Sequence, residues 1–331
     1  MKIVVAGAGA IGGFTGGMLA ADGHEVALLG RPRILGPIRE QGLTLTDYAG
    51  LSMKVPAEAL RLETDPACLA AADLVIVAVK TAATAEIAAA IAAHAPADAR
   101  VLSFQNGIQS ARTLRAALPG WDVRACMVPF NVVCPEPGHF HRATSGDIVV
   151  EAGPGALAEA LSTPAMKVLE SDRIAEVQWG KLLINLTNAL NALSGLPLQK
   201  MLLDRRWRRL MADQMTEAMA ALKAAGIAFR PQTPLPPALI PHLLRLPTPL
   251  FRRIAAQMLT IDPEARTSMA YDIEAGRPTE IDALQGEILR LGAQTGVATP
   301  LTARIAARLA RAEAAGGGSP RIDPRELREG G

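Results

Sequence analysis

The sequence predicts an α/β protein in two parts: a doubly wound, mainly parallel sheet over residues 1–170, then an all-helical domain over residues 171–315. Three observations carry this. Short β-branched runs at residues 3–5, 74–79 and 101–104 alternate with helical stretches, as expected for strands buried on both faces. The first of these strands opens directly into a glycine-rich turn. From Arg173 onward the apolar period lengthens to that of helices, over residues 174–193, 204–225, 279–295 and 300–314.

The elements follow in order. Ile3, Val4 and Val5 lead into Gly7, Ala8, Gly9, Ala10, Ile11 and Gly12, then a helix of small residues and a second strand at residues 24–29. In this strand-turn-helix context Gly7 permits the tight turn, Gly9 lets a pyrophosphate approach the backbone and Gly12 allows close packing of helix on strand. The helix N-terminus then faces the anion, so the segment reads as a Rossmann-type dinucleotide site. An NAD site usually ends the second strand with an acidic residue for the ribose 2′-OH. Here Gly30 and Arg31 follow the strand, with Arg33 close by, and a guanidinium fork suits a 2′-phosphate. NADP(H) is therefore expected over NAD.

Residues 43–46 and 51–55 flank Tyr48, Ala49 and Gly50 as a small hairpin. The strand at 74–79 is followed by Lys80, and the strand at 101–104 by Gln105, Asn106 and Gly107. In an open parallel sheet such positions border the ligand, so Lys80 and Asn106 are candidates for cofactor or substrate contact; each alternatively caps the helix after it. Residues 124–134, 138–142 and 147–151 read as further, antiparallel strands. Seven prolines between Pro231 and Pro249 rule out one continuous helix there and predict short helices and loops. The glycine-rich tail, 316–331, is expected to be disordered.

Composition narrows the partners. The 331 residues carry 34 basic and 32 acidic side chains, a net charge of +2, which points to neither nucleic acid nor a membrane surface and leaves a small molecule as the fitting partner. The chain opens on a strand without a cationic leader, and no run approaches the ~20 apolar residues of a membrane span, so a cytoplasmic protein is expected. Cys68, Cys126 and Cys134 are too few and too irregular for a disulfide framework or zinc site. His139 and His141 share a strand face, but no acidic or cysteine partner stands at metal-site spacing; an edge-strand pair and no metal are expected.

The chemistry concentrates in residues 179–191, an apolar helix carrying Lys181, Asn185, Asn188 and Asn191. At about 100° per residue, Asn185 lies roughly 40° from Lys181 and Asn188 roughly 20° to the other side, one narrow polar stripe from which Asn191 drifts away. A lysine among apolar neighbours needs a partner or a function. Downstream, Thr279 is placed to cap a helix starting near Glu280, with Asp282 in its first turn. A carboxylate at Glu280 is then available to pair with Lys181 and hold a proton donor in place.

These residues together resemble the ketopantoate reductase (2-dehydropantoate 2-reductase) family, from the N-terminal glycine turn to about residue 310. The resemblance is carried by Gly7, Gly9 and Gly12, Lys80, Gln105-Asn106-Gly107, Lys181 with Asn185, Ser268-Met269, and Gly276-Arg277 leading to Thr279-Glu280-Ile281-Asp282. It implies NADPH-dependent reduction of a 2-keto acid, ketopantoate to pantoate, on the route to pantothenate and coenzyme A. By the same resemblance Lys181 is the general acid and Glu280 the carboxylate near it and the nicotinamide ribose. Asn185 and Ser268 bind substrate, and Asn106 lies where cofactor and substrate meet. One position departs from the family pattern: the second asparagine expected eight residues after the lysine is Ala189, and Asn188 or Asn191 must replace it. A paralogous NADPH-dependent reductase of another 2-keto acid or related carbonyl is the alternative, with a non-catalytic NADP sensor behind it. Any homodimer contact is expected on the helical domain.

Overall fold

The computed structural model describes residues 1–230, 235–256, 259 and 264–328. The chain divides into two compact units, Met1–Gln178 and Trp179–Gly331.

In the N-terminal unit the chain order is β1 (Lys2–Ala6), α1 (Ala10–Ala21), β2 (Glu25–Leu29), α2 (Pro32–Gln41), β3 (Leu43–Asp47), β4 (Ser52–Val55), β5 (Leu60–Glu63), β6 (Leu74–Val77), α3 (Thr84–His94), β7 (Arg100–Ser103) and α4 (Gln109–Ala117). Then come β8 (Val123–Met127), β9 (Val132–Val133), β10 (His139–Arg142), β11 (Ile148–Glu151), α5 (Leu157–Leu161) and β12 (Val168–Ser171), followed by α6 (Ile174–Asn185), whose first turn belongs to this unit and whose residues from Trp179 onward belong to the C-terminal unit. The main sheet runs β12-β11-β8-β7-β6-β1-β2-β5. Its β5-to-β8 portion is entirely parallel, and β11 pairs antiparallel to β8.

Alternation along the strands separates two cores. Ile3, Val5, Val26 and Leu28 pack to one face with Phe14, Met18 and Leu19 of α1, whereas Val4, Ala6, Ala27 and Leu29 pack to the other, with Ile87, Ala88 and Ile91 of α3 and Leu114 of α4. This is the period-2 signature of a strand covered on both sides. A smaller sheet, β4-β3-β10-β9, lies against α1 on its far side. The glycines of α1 make this sandwich possible. A Cβ at Gly16 would meet Leu28 of the main sheet at 2.6 Å, and one at Gly13 would meet the Phe140 ring of the small sheet at 2.5 Å.

Several expectations are corrected here. The two histidines are not on an edge: β10 lies between β3 and β9, and the ring nitrogens of His139 and His141 both bond the Thr46 hydroxyl, at 2.7 and 2.8 Å. No cluster of metal-ligating side chains occurs among the described residues. Strands β5 and β12 were not anticipated, because each is only four residues and its short apolar pattern is broken by charge, at Arg61 and Glu63 in β5 and at Glu170 in β12.

The C-terminal unit holds α7 (Thr187–Ser194), α8 (Leu198–Leu203), α9 (Arg205–Ala224), α10 (Ile240–Arg245), α11 (Thr248–Ile254), α12 (Ser268–Glu274), α13 (Ile281–Thr295) and α14 (Pro300–Ala315). It is helical, as the sequence predicts. In the proline-rich stretch α10 and α11 are short, as expected, while residues 231–234 lie outside the described residues. The expected single helix over residues 174–193 is interrupted at Leu186.

The tail departs from expectation more sharply. Instead of a disordered segment, residues 316–328 run along the helices: the Ser319 hydroxyl donates to Ala192 O at 2.6 Å, Ile322 N donates to Leu193 O, and Leu327 is fully buried. Asp323 and Glu326 form a capping box around a short turn. Glycine content suggested disorder, but Pro324 and Leu327 supply buried contacts, and the terminal carbonyls of α7 supply acceptors. No helix among the described residues is long and apolar enough to cross a membrane.

Candidate active site

The candidate cofactor residues of the N-terminal unit lie where the strand order reverses. Strand β1 pairs with β2 on one side and β6 on the other, so the carboxyl ends of β1 and β6 form a topological switch point. Gly7 there has φ +110°, and a Cβ would stand 2.8 Å from the Ala78 and Val79 backbone. At Gly12 a Cβ would lie 2.0 Å from Gly7 O. Both positions are closed to side chains by the fold itself. Gly9 differs, since a Cβ there meets nothing within 4 Å. The protein's own packing leaves this side of the turn open, as a backbone approached by a pyrophosphate requires. Gly9 is also the N-cap of α1, whose N-terminus has no side-chain cap and no acidic residue in its first turn. Ala8, Ala10 and Ile11 complete the turn.

Arg31 follows β2 as the N-cap of α2, exposed, and the guanidinium groups of Arg31 and Arg33 take no hydrogen bond or ion pair among the described residues. The nearest strand-end carboxylate, Glu63, is bound to Arg61 at 3.1 Å. Lys80 is exposed after β6 and Asn106 is part-buried after β7. Gln105, buried, fixes both loops: its Nε2 donates to Val79 O at 3.0 Å and to Thr84 Oγ1 at 2.8 Å. In the sequence Gln105 stands out only as part of the Gln105-Asn106-Gly107 motif; its position two residues after a buried strand is the available signal of this role.

In the C-terminal unit, Lys181 and Asn185 lie on the last turns of α6 and Asn188 on the first turn of α7. All three are part-buried, while Leu182, Leu183, Leu186, Ala189 and Leu190 between them are buried. Leu186 keeps right-handed helical dihedrals (φ −57°, ψ −25°), so the polar stripe continues across the interruption. Burial is the largest influence on the Lys181 ammonium and lowers its pKa to about 8, with the negative charge of Glu280 pulling it back up. The influence of Glu280 on Lys181 has the sign that the expected pairing requires. Desolvation nevertheless outweighs it.

Glu280 is held in place by its neighbours. Helix α12 ends in a Schellman motif, with Gly276 at φ +61°, Gly276 N donating to Ile273 O and Arg277 N donating to Asp272 O. The chain then turns at Pro278. Thr279 does not cap α13, contrary to expectation; its hydroxyl donates to Glu313 Oε2 of α14 at 2.8 Å. Glu280 is itself the N-cap, with its side chain making no capping bond, and Asp282 sits in the first turn. Thr279 lies one residue before the N-cap position, and its hydroxyl is engaged by Glu313 instead.

The two candidates for the second asparagine differ in burial. Asn191 is fully buried; its Nδ2 donates to Leu196 O at 2.8 Å and its Oδ1 accepts from Thr267 N at 3.0 Å. It is committed to joining α7 to α12. Thr267 also donates its hydroxyl to Asn188 O at 3.3 Å, which places exposed Ser268, the first residue of α12, against the α7 turn that carries Asn188.

Comparison with known proteins shows the family. Residues 3–155 match the family described as ketopantoate reductase PanE/ApbA, and residues 173–313 match its C-terminal domain. The chain belongs to the ketopantoate reductase family. It is an oxidoreductase family, and a nicotinamide cofactor follows at that level. The 2-dehydropantoate 2-reductase of Halobacterium salinarum is 27% identical over 315 residues, covering 92% of this chain and 97% of that protein. A PanE/ApbA family ketopantoate reductase from Ralstonia eutropha JMP134 superposes with a TM-score of 0.82 at 32% identity, covering 96% and 99% of the two chains. The fold is also that of a D-mandelate dehydrogenase crystallised with NADH and anilino(oxo)acetate, with a TM-score of 0.78 at 24% identity over 96% of this chain and all of that one.

The two asparagines should separate experimentally. Asn191→Ala strands Thr267 N–H and Leu196 C=O and is expected to cost about 1–3 kcal/mol in chemical denaturation. Asn188→Ala, with no such bonds to lose, is expected to stay within about 0.5 kcal/mol of the parent.

Proposed function

We propose that this protein catalyses the NADPH-dependent reduction of 2-dehydropantoate to pantoate, in pantothenate and coenzyme A biosynthesis. The observation that carries the reading is the electrostatic pairing of a desolvated Lys181 with Glu280 in the unit that also presents Asn185, Asn188 and Ser268.

The residues of the N-terminal unit fit the cofactor. The Gly7–Gly12 turn and the uncapped start of α1 would hold the pyrophosphate, and Arg31 with Arg33 the 2′-phosphate. Lys80 and Asn106 follow strand ends on the same side, where they would meet ribose or nicotinamide. When bound, the nicotinamide supplies the hydride for the carbonyl carbon.

The protein's own residues handle the oxygen. Lys181 hydrogen-bonds the substrate carbonyl through its ammonium, which offsets charge as the oxygen becomes an alkoxide and then transfers a proton to it. With its pKa lowered to about 8, Lys181 is largely protonated at neutral pH yet a better acid than an exposed lysine. Glu280 keeps the protonated form accessible. Asn185, Asn188 and Ser268 offer donors to the 2-keto acid and fix its face.

A second reading keeps the chemistry and changes the substrate. Position 189 carries a fully buried alanine, and Asn191 is committed to structure, so only Asn188 remains to stand in for the second asparagine. That altered spacing favours another 2-keto acid as substrate. Purified protein assayed against ketopantoate and a panel of 2-keto acids decides between them; the highest kcat/KM for ketopantoate supports the first reading, and a clear preference for another acid supports the second.

Two outcomes are expected in the same assays. Because the acid must be protonated, kcat/KM for reduction is present below about pH 8 and falls as pH rises through that value. Lys181→Ala lowers kcat roughly 10²–10⁴-fold with NADPH binding intact, and near-parental turnover in that variant removes the assigned role. For the cofactor, Arg31→Ala is expected to raise the KM for NADPH roughly tenfold and leave that for NADH nearly unchanged, as loss of a charge-assisted pair to phosphate predicts. A parent enzyme that prefers NADH overturns the NADP assignment.

A further inference from the structure

Helix α13 carries Glu280 at its start and, further along, Gln285. This amide is fully buried, and its Nε2 donates to Leu186 O at 2.9 Å. Leu186 is the residue at which α6 gives way to α7, between Asn185 and Asn188. One side chain therefore ties the helix that presents Glu280 to the point in the chain from which Lys181, Asn185 and Asn188 are displayed.

Stability does not account for this residue. The Leu186 carbonyl, as the N-cap of α7, belongs to the first helical hydrogen bond whether or not Gln285 is present. The Oε1 of Gln285 has no partner among the described residues. A buried bond contributes little net stability, and an unsatisfied buried acceptor costs about as much or more, so an apolar side chain of the same shape would serve the core at least as well. Gln285 also stands on the apolar face of its helix, among Ile281, Leu284 and Ile288, where a lone amide is out of pattern. What it supplies is position.

We infer that Gln285 is a positioning residue for the reduction: its hydrogen bond to Leu186 fixes the α6–α7 junction relative to α13, and with it the placement of Lys181 and the two asparagines relative to Glu280. The inference rests on the proposed role of Lys181 as the proton donor. It acts through that group and does not touch the substrate.

The test compares full-length Gln285→Met and Gln285→Glu with the parent, measuring kcat and KM for the preferred 2-keto acid, NADPH affinity and Tm. Methionine keeps the volume and loses the donor. It is expected to lower kcat/KM for the keto acid roughly tenfold, by the same factor at every pH, as a small misplacement of reacting groups does. NADPH affinity should not change, and Tm should hold or rise.

Glutamate gives a pH-dependent rescue. Burial raises the pKa of a carboxyl, so at about pH 6 the neutral acid still donates its O–H to Leu186 O, and by about pH 9 the carboxylate repels that carbonyl. Relative to the parent, this variant is expected to be near full activity at the lower pH and to fall to the methionine level at the higher one. Parental kcat and KM in Gln285→Met overturns the inference, as does a Gln285→Glu ratio that does not vary with pH; the glutamate profile also decides the matter if the methionine variant does not fold. Unaffected Gln285 variants beside an inactive Lys181→Ala remove the positioning role alone. An active Lys181→Ala removes the reading beneath it.

Discussion

A part-buried ammonium group, desolvated and opposed by one carboxylate, is the constraint on which the proposed chemistry of the C-terminal unit depends. Burying Lys181 is costly, and its lowered pKa is the direct expression of that cost. Glu280 offsets part of it. Much of the surrounding structure serves to keep that carboxylate in place: the Schellman turn at Gly276, the bond from Thr279 to Glu313 and the start of α13 each fix the chain near residue 280. An unpaired buried cation would be unstable, and a fully solvated one would be a poorer acid. The intermediate case suits proton donation to a developing alkoxide.

The N-terminal unit solves a separate problem, which is to leave backbone exposed to an anion without leaving backbone unsatisfied. Its answer is a glycine turn in which two positions are closed by neighbouring backbone and one is open. The same helix then passes between two sheets, and its later glycines accept Leu28, Phe140, Leu43 and Leu45 in direct contact. Glycine costs roughly 0.5–1 kcal/mol per helical position relative to alanine, and the close packing is what offsets it. The open glycine turn and the core therefore depend on the same short segment.

Much of this was legible in the sequence. Period-2 and period-3.6 patterns located the parallel strands and the helical half, because burial on one or both faces forces those patterns. Lys181, Asn185 and Asn188 were legible as a stripe, since helical geometry alone places them together. The features that were missed depend on partners distant in sequence. Nothing near Thr279 announces that Glu313, 34 residues later, takes its hydroxyl. Asn191 could not be told from Asn188 until its bonds to Leu196 and Thr267 were seen, and the ordered tail depends on carbonyls of α7 more than a hundred residues earlier. Local signals fix what an element is; they do not say which distant group will claim a polar side chain.

The central claim is electrostatic and can be measured without any substrate. Selective observation of the Lys181 side-chain nitrogen by NMR across a pH titration of the free protein should give a pKa of about 8, and Glu280→Gln should move it lower, because removing the carboxylate leaves only desolvation. A value near the ~10.4 of an exposed lysine, unmoved by Glu280→Gln, would contradict the account at its foundation.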